Sequence, residues 1–485
     1  MGPAARPRLP PFGGKASRRN RMSPSKTAPR KRRAGGKGII GPSGAVSGRM
    51  VNSMRDDFGG EPMRRIVQNA VTQVSVQSIA NRREVVTEAD HSFSVVLDDW
   101  KATNQARSGR CWMFAALNLF RVGAMKKMKL KEFEFSQNFT LFWDKLEKAN
   151  YFLEAIIDTA DRDVDDRTVA FLLSQPIVDG GQWHMLVSLV KKHGLVPKAA
   201  MPETESSGNT GAMNSVLVAK LREGAKRLRD MRAEGAGMKA LRDAKEDTLN
   251  VVYRILSIHL GTPPERFVWQ WKDKDGKFHR EAGMTPRRFA DKYVGVPLDE
   301  YVCLVNDPRP QHSYGRTYSV EYLGNVVGGE QIVYLNVDVD TMKRATVRTL
   351  KDGEPVWFGC DVRKQMDGKL GVWDAQLQDY ESIYGTAFGL DKAGRLQYGE
   401  ARMTHAMLFT GVDLVRGKPR RWRVENSWGE DRGQKGFFLM NDSWFDEHMF
   451  EVAVHQKYLP AKLRKAVERR PVMLPPWDPM GALAG

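Results

Sequence analysis

The chain has 485 residues, 41% of them hydrophobic, enough to bury a sizeable core in two or three subregions. No apolar run reaches the roughly 18 residues of a membrane span, and no secretory-type apolar stretch stands near the start. Three cysteines cannot build a disulfide framework and point to a reducing compartment, while the net charge of +18 raises the question of a nucleic-acid partner.

That charge is unevenly spread. Residues 1–55 carry fourteen Lys/Arg and no acid, and taking their +14 from the total leaves +4 for the other 430 residues. With PRKRR at 29–33 and many Gly, Pro and Ser, residues 1–62 are expected to form a disordered basic extension, too poor in apolar surface to fold alone. Such a tail could be simply solvated, redirect the protein to the nucleus or an organelle, or tether it to nucleic acid or acidic surfaces.

Residues 63–205 read as mostly helical. The run CWMFAALNLFRVGAMKKMKL (111–130), apolar nearly all round before its lysines, predicts a buried central helix with a solvated C-terminal end. Ser136 opens a second helical stretch, with Asp144 and Lys148 at i,i+4 spacing. Residues 206–299 are expected to be a helical insertion, charged over 206–248 and solvated on that face. Residues 300–455 change texture: YVCLVN, IVYLNVDV, PVWFGCDV, AMLFTGVDL and RWRVENSW are short β-branched or aromatic runs between turn residues. Residues 456–485 form a C-terminal arm. After an amphipathic stretch with LRKAVERR it closes with PVMLPPWDPMGALAG (471–485), whose prolines bar a stable helix and whose apolar character predicts that it lies in a groove of its own subunit or of a neighbour.

Cys111 follows the polar loop NQARSGR and opens the apolar run. Core packing is one reading of a buried thiol. The other is a nucleophile, its pKa lowered by the helix N-terminus and by Arg110. Gln105 could offer its amide to the oxyanion that the Cys111 N–H also faces. The runs holding His405 and Asn426 flank the turn RGKPR (416–420) and predict an antiparallel hairpin whose far ends bring these two side chains together. An Asn426 carbonyl on one ring nitrogen would fix the tautomer of His405, and Trp428 could shield that bond. Cys303 and Cys360 lie within strand-like runs and read as core thiols, and His184 as a packing residue.

NQARSGRCWMFA, THAM and VENSWGEDRG, with FWDKLEKANYFLEAI, DGGQWHMLVSLVKKHGLVPK, LVNDPR, VEYLGNVVGG, VWFGCDV and WDPMGALA, resemble the bleomycin hydrolase/aminopeptidase C branch of the papain-like cysteine peptidases over residues 63–484. The resemblance implies an α+β papain-like fold: a helical half with a central nucleophile helix, a β-rich barrel-like half, the insertion and the arm. The usual local signature, C-G-[SA]-C-[WY], has Ser108 here in place of its first cysteine.

The resemblance implies Cys111 as nucleophile, His405 as general base and acid, Asn426 as its orienter and Gln105 as oxyanion donor. It makes Gly180 and Gly181 a substrate-binding segment, against the simpler reading of Gly–Gly as a turn. It places Ala484 near the end of an arm that meets the substrate's free α-amine, with Gly485 removed by self-cleavage. Trp428 joins the substrate-binding set. No metal or cofactor is implied. The expected partners are peptides with a free N-terminus and five further copies in a cytoplasmic homohexamer, with weak nucleic-acid binding through tail or channel and no membrane. The competing readings are an endopeptidase and a nucleic-acid-binding ring.

Overall fold

Helix capping and strand alternation organise the chain as the α+β expectation requires. The computed structural model describes residues 40, 42–97 and 100–484. The chain divides into two units, Met1–Arg65 and Ile66–Gly485. In the first, residues Gly48–Gly60 are helical, capped by the Ser47 side chain, which accepts from the Met50 N–H at 3.2 Å. A further helix spans Pro62–Val71. The expectation of disorder over 1–62 is therefore corrected for 48–60: a serine cap and a proline-free stretch suffice for a helix that buries no side chain. The lysine- and arginine-rich residues up to 39 lie outside the described residues.

In the second unit the predicted central helix spans Cys111–Met128 and is buried along most of its length. Ser136 caps the next helix, Gln137–Asp158, by accepting from the Phe139 N–H at 3.0 Å. The i,i+4 pair within it, Lys148–Asp144 at 2.8 Å, is buried rather than solvated.

The insertion is only partly helical, which corrects the reading of 206–299. Helices Gly211–Ala233 and Met238–Leu260 each bury one leucine-rich stripe. They are followed by a two-stranded hairpin, Phe267–Lys272 with Phe278–Met284. FVWQWK alternates strictly, and Trp269 and Trp271 pack onto Met128 while Lys272 faces out. Period-2 alternation outweighed the surrounding charge.

The sheet contains twelve strands among the described residues. Its central strands are Tyr301–Val305, Met449–His455, Val356–Cys360, His405–Val415, Lys418–Glu425 and Phe437–Asn441, each antiparallel to the next. Successive residues point to opposite faces: Cys303, Trp357 and Ala406 join the core around the central helix, while Leu304, Phe358 and Met407 join a second core on the other face. The hairpin expected between His405 and Asn426 is present, with a tighter turn than RGKPR: Val415 pairs with Lys418, leaving Arg416 and Gly417, both at positive φ, as the two-residue loop. The arm adds a strand, Val472–Leu474, parallel to Thr317–Val320, then a 3₁₀ turn over Pro479–Ala484 that buries Met480 and Leu483.

Candidate active site

The central helix presents its N-terminus to the start of the His405–Val415 strand. Trp357 on the adjacent strand donates to the Trp112 carbonyl at 3.0 Å and locks the first helical turn to the sheet. The Cys111 thiol faces the backbone N–H of Ala406, the residue after His405, and the N–H groups of Trp112 and of Cys111 itself. His405 Nε2 donates to Asn426 Oδ1 at 2.9 Å. That bond places the ring's hydrogen on Nε2 and leaves the Nδ1 lone pair to take a proton. The Trp428 ring lies 5.1 Å from the His405 ring, centroid to centroid, beside that bond.

Cys111 and His405 are each 5% exposed. Burial pushes the thiol up to about 11 despite the three N–H groups, and pushes the imidazole down to about 4 despite the Asn426 bond. Burial thus disfavours the charged form of each group taken alone. This corrects the expected lowering of the Cys111 pKa. Desolvation outweighs the helix terminus, and Arg110 contributes little because it is fully buried in a bidentate pair with Glu203, at 3.0 and 2.7 Å.

Ser108 is the pivot of the preceding loop. Its hydroxyl donates to the Gln105 carbonyl at 2.6 Å and accepts from Arg110 Nε at 2.9 Å. Gln105 is held at both ends of its amide: Oε1 accepts from the Ser427 hydroxyl and Nε2 donates to the Ser108 carbonyl, both at 2.6 Å. The other Nε2 hydrogen has no partner among the described residues.

The Gly180–Gly181 segment packs beside the nucleophile, on Trp112. Neither residue has positive φ, so a turn conformation is not what requires glycine. Close approach is: a Cβ on Gly181 would come within 2.5 Å of the Trp112 ring, and one on Gly180 would overlap the Leu483 carbonyl and lie 3.3 Å from Ala484 Cα. The arm thus ends against Gly180. Gly485 lies outside the described residues.

Two supports of the site escaped the sequence reading. Asp179 binds Lys145 at 2.6 Å, the Gly109 N–H at 2.9 Å and Asn214 at 2.8 Å. Burial works against its charge, but Lys145 and the Gly109 N–H hold the carboxyl far below the usual range. Its carbonyl also accepts from Trp112 Nε1 at 2.7 Å. Behind the helix, buried Glu425 accepts from Trp100, Asn118 and Arg121 at 2.6, 2.8 and 2.7 Å, tying the residue before Asn426 to the nucleophile helix. Polar Asn118 and Arg121, three apart in an otherwise apolar run, were the available signal. Cys303 and Cys360 are buried core thiols as expected, although Cys303 lies 3.7 Å from His184 Nδ1. Among the described residues no group of three or more His, Cys, Asp or Glu could hold a metal ion, and no helix is long and apolar enough to cross a membrane.

The Peptidase C1-like family matches residues 45–481. Bleomycin hydrolase of Mus musculus is 43% identical over 444 residues, covering 90% of this chain and 98% of that protein. Aminopeptidase C of Streptococcus thermophilus is 45% identical over 429 residues, covering 88% and 96%. The crystal structure of PepW from Lactobacillus rhamnosis superposes with a TM-score of 0.89 at 44% identity, covering 90% of this chain and 99% of that one. The chain is a papain-like cysteine peptidase and belongs to the Peptidase C1-like family, beside the bleomycin hydrolases and aminopeptidases C.

Proposed function

We propose that the protein is a cysteine aminopeptidase in which Cys111 is the nucleophile, His405 the base and acid, Asn426 the orienter and Gln105 an oxyanion donor. The carrying observation is the His405 Nε2–Asn426 Oδ1 bond, which leaves Nδ1 as the proton acceptor, with the Cys111 thiol at the N–H of the next residue, Ala406. Sγ attacks the carbonyl carbon that joins the substrate's first residue to the rest, and its proton passes to Nδ1. The oxyanion is received by the Cys111 N–H and Gln105 Nε2. Collapse breaks the C–N bond, His405 returns the proton to the leaving amine, and a thioacyl-enzyme remains. Water, deprotonated by His405, then releases the amino acid and restores the thiol.

The arm supplies the restriction to one residue. Leu483 and Ala484 against Gly180 occupy the side where the N-terminal part of a longer substrate would lie, and Gly180, Gly181 and Trp428 border what is left. The same reading includes removal of Gly485 by the active site, a homohexamer and a cytoplasmic location. The test compares free and N-acetylated peptides of one sequence, with the intact chain and with residues 479–485 deleted. The intact enzyme is expected to cleave only the free peptide, and the truncated one both. Equal cleavage of both by the intact enzyme would make it an endopeptidase.

A second reading, nucleic-acid binding, is favoured by the +14 concentrated in residues 1–55. Deleting them should abolish salt-dependent DNA binding, and unchanged affinity would remove the tail from that role.

A further inference from the structure

A cavity of about 950 Å³ opens beside the loop that follows the Val356–Cys360 strand, a volume suited to a short peptide. The loop is anchored to the residues carrying His405. His405 pairs with Cys360 in the ladder, the Thr404 N–H donates to the Cys360 carbonyl at 2.9 Å, and Val362 N–H donates to the Thr404 hydroxyl at 3.2 Å. The next residue, Arg363, lines the cavity, and its charge disfavours protonation of His405.

The cavity's other Lys and Arg side chains are engaged. Lys364 pairs with Glu400, Arg395 with Glu447 at 2.6 Å and Arg82 with Asp379 at 3.3 Å. Arg363 is exposed and makes no hydrogen bond or ion pair among the described residues. An unpaired guanidinium whose charge acts on the base can take a carboxylate bidentately, and a carboxylate is the anion that a peptide offers.

The reaction says which part of a substrate would bring that carboxylate. The arm ends against Gly180, on the acyl side. His405 must protonate the leaving amine, so the leaving peptide starts at His405. Arg363 stands three residues past Cys360, the ladder partner of His405, so at roughly 3.3 Å per extended residue its side chain is within reach of the first few residues of that peptide.

We propose that Arg363 is a specificity-determining residue that binds a carboxylate of the leaving peptide. The carboxylate is the C-terminus of a dipeptide or tripeptide substrate, or an acidic side chain just after the scissile bond. This rests on the reading of Cys111 and His405 as the reacting pair.

The test uses tripeptides of one sequence with free or amidated C-termini, and amidated peptides with Glu or Gln after the first residue. Each is assayed with the wild-type enzyme and with Arg363→Ala. The wild type is expected to favour the free C-terminus, the Glu peptide or both by about tenfold in kcat/KM, and the variant to bring those ratios within about twofold of unity. Which ratio collapses identifies the source of the carboxylate. Wild-type ratios near one, or ratios that survive in Arg363→Ala, overturn the proposal. An aminoacyl methylcoumarylamide, which carries no carboxylate, separates the two readings: no turnover of it by the wild type overturns the catalytic assignment instead.

Discussion

The two walls of the cleft are held by different forces. The nucleophile wall, Gln105 to Trp112 with Asp179 to Gly181, depends on buried ion pairs, Arg110–Glu203 and Lys145–Asp179, whose cations are fully buried. The base wall, His405 and Asn426, depends chiefly on the register of an antiparallel ladder, with one buried pair, Arg121–Glu425, behind it. A ladder spreads its hold over many backbone bonds, so a side chain at its end can change without loss of the frame. A buried ion pair concentrates its hold, and losing one partner strands a charge.

The sharpest way to break this contrast is a pair of alanine variants. Asp179→Ala should destabilise the protein by about 3–5 kcal/mol in urea unfolding, because Lys145 is left charged and buried. Asn426→Ala should cost only about 1 kcal/mol but lower kcat/KM by about a hundredfold, since His405 loses its orientation. Comparable stability losses in both would erase the distinction between the walls.

Acid should separate activity from stability. Burial lowers His184 and His405 to about 4 and His448 to about 3. The unfolded chain, titrating near 6.5, then binds more protons than the folded one, so the contribution these histidines make is complete above about pH 6.5. It is lost as pH falls through 6.5 towards 4. Thermal unfolding from pH 7 to 4 should show that slope, whereas the acid limb of kcat/KM should fall near 4. An acid limb at 6.5 would mean that His405 titrates as an open histidine.

Smaller effects sharpen the picture of the loop. Ser108→Ala removes the acceptor of Arg110 Nε and should cost about 1–3 kcal/mol, with activity falling only as Gln105 loosens. Cys303→Ala should leave turnover at the wild-type level, because that thiol is a fully buried core side chain.

What the sequence made legible followed from local pattern. The 111–130 run fixed a buried helix because its apolar residues leave no polar face, and the alternation either side of RGKPR fixed the hairpin that joins His405 to Asn426. Asp179, Glu203 and Glu425 were not legible, because their roles depend on partners 70, 93 and 307 residues away in the chain. Nothing local distinguishes such carboxylates from surface ones. The Phe267–Met284 hairpin is hidden in the sequence by the charged residues around its short alternating run. The shifts at Cys111 and His405 required knowing how completely the folded chain covers them.

The most direct measurement is turnover of an aminoacyl methylcoumarylamide by purified Cys111→Ala beside the wild type, with unfolding monitored to show both are folded. Loss of activity by about ten-thousandfold or more is expected. Wild-type-like turnover in a folded Cys111→Ala protein would contradict the assignment of Cys111 as nucleophile.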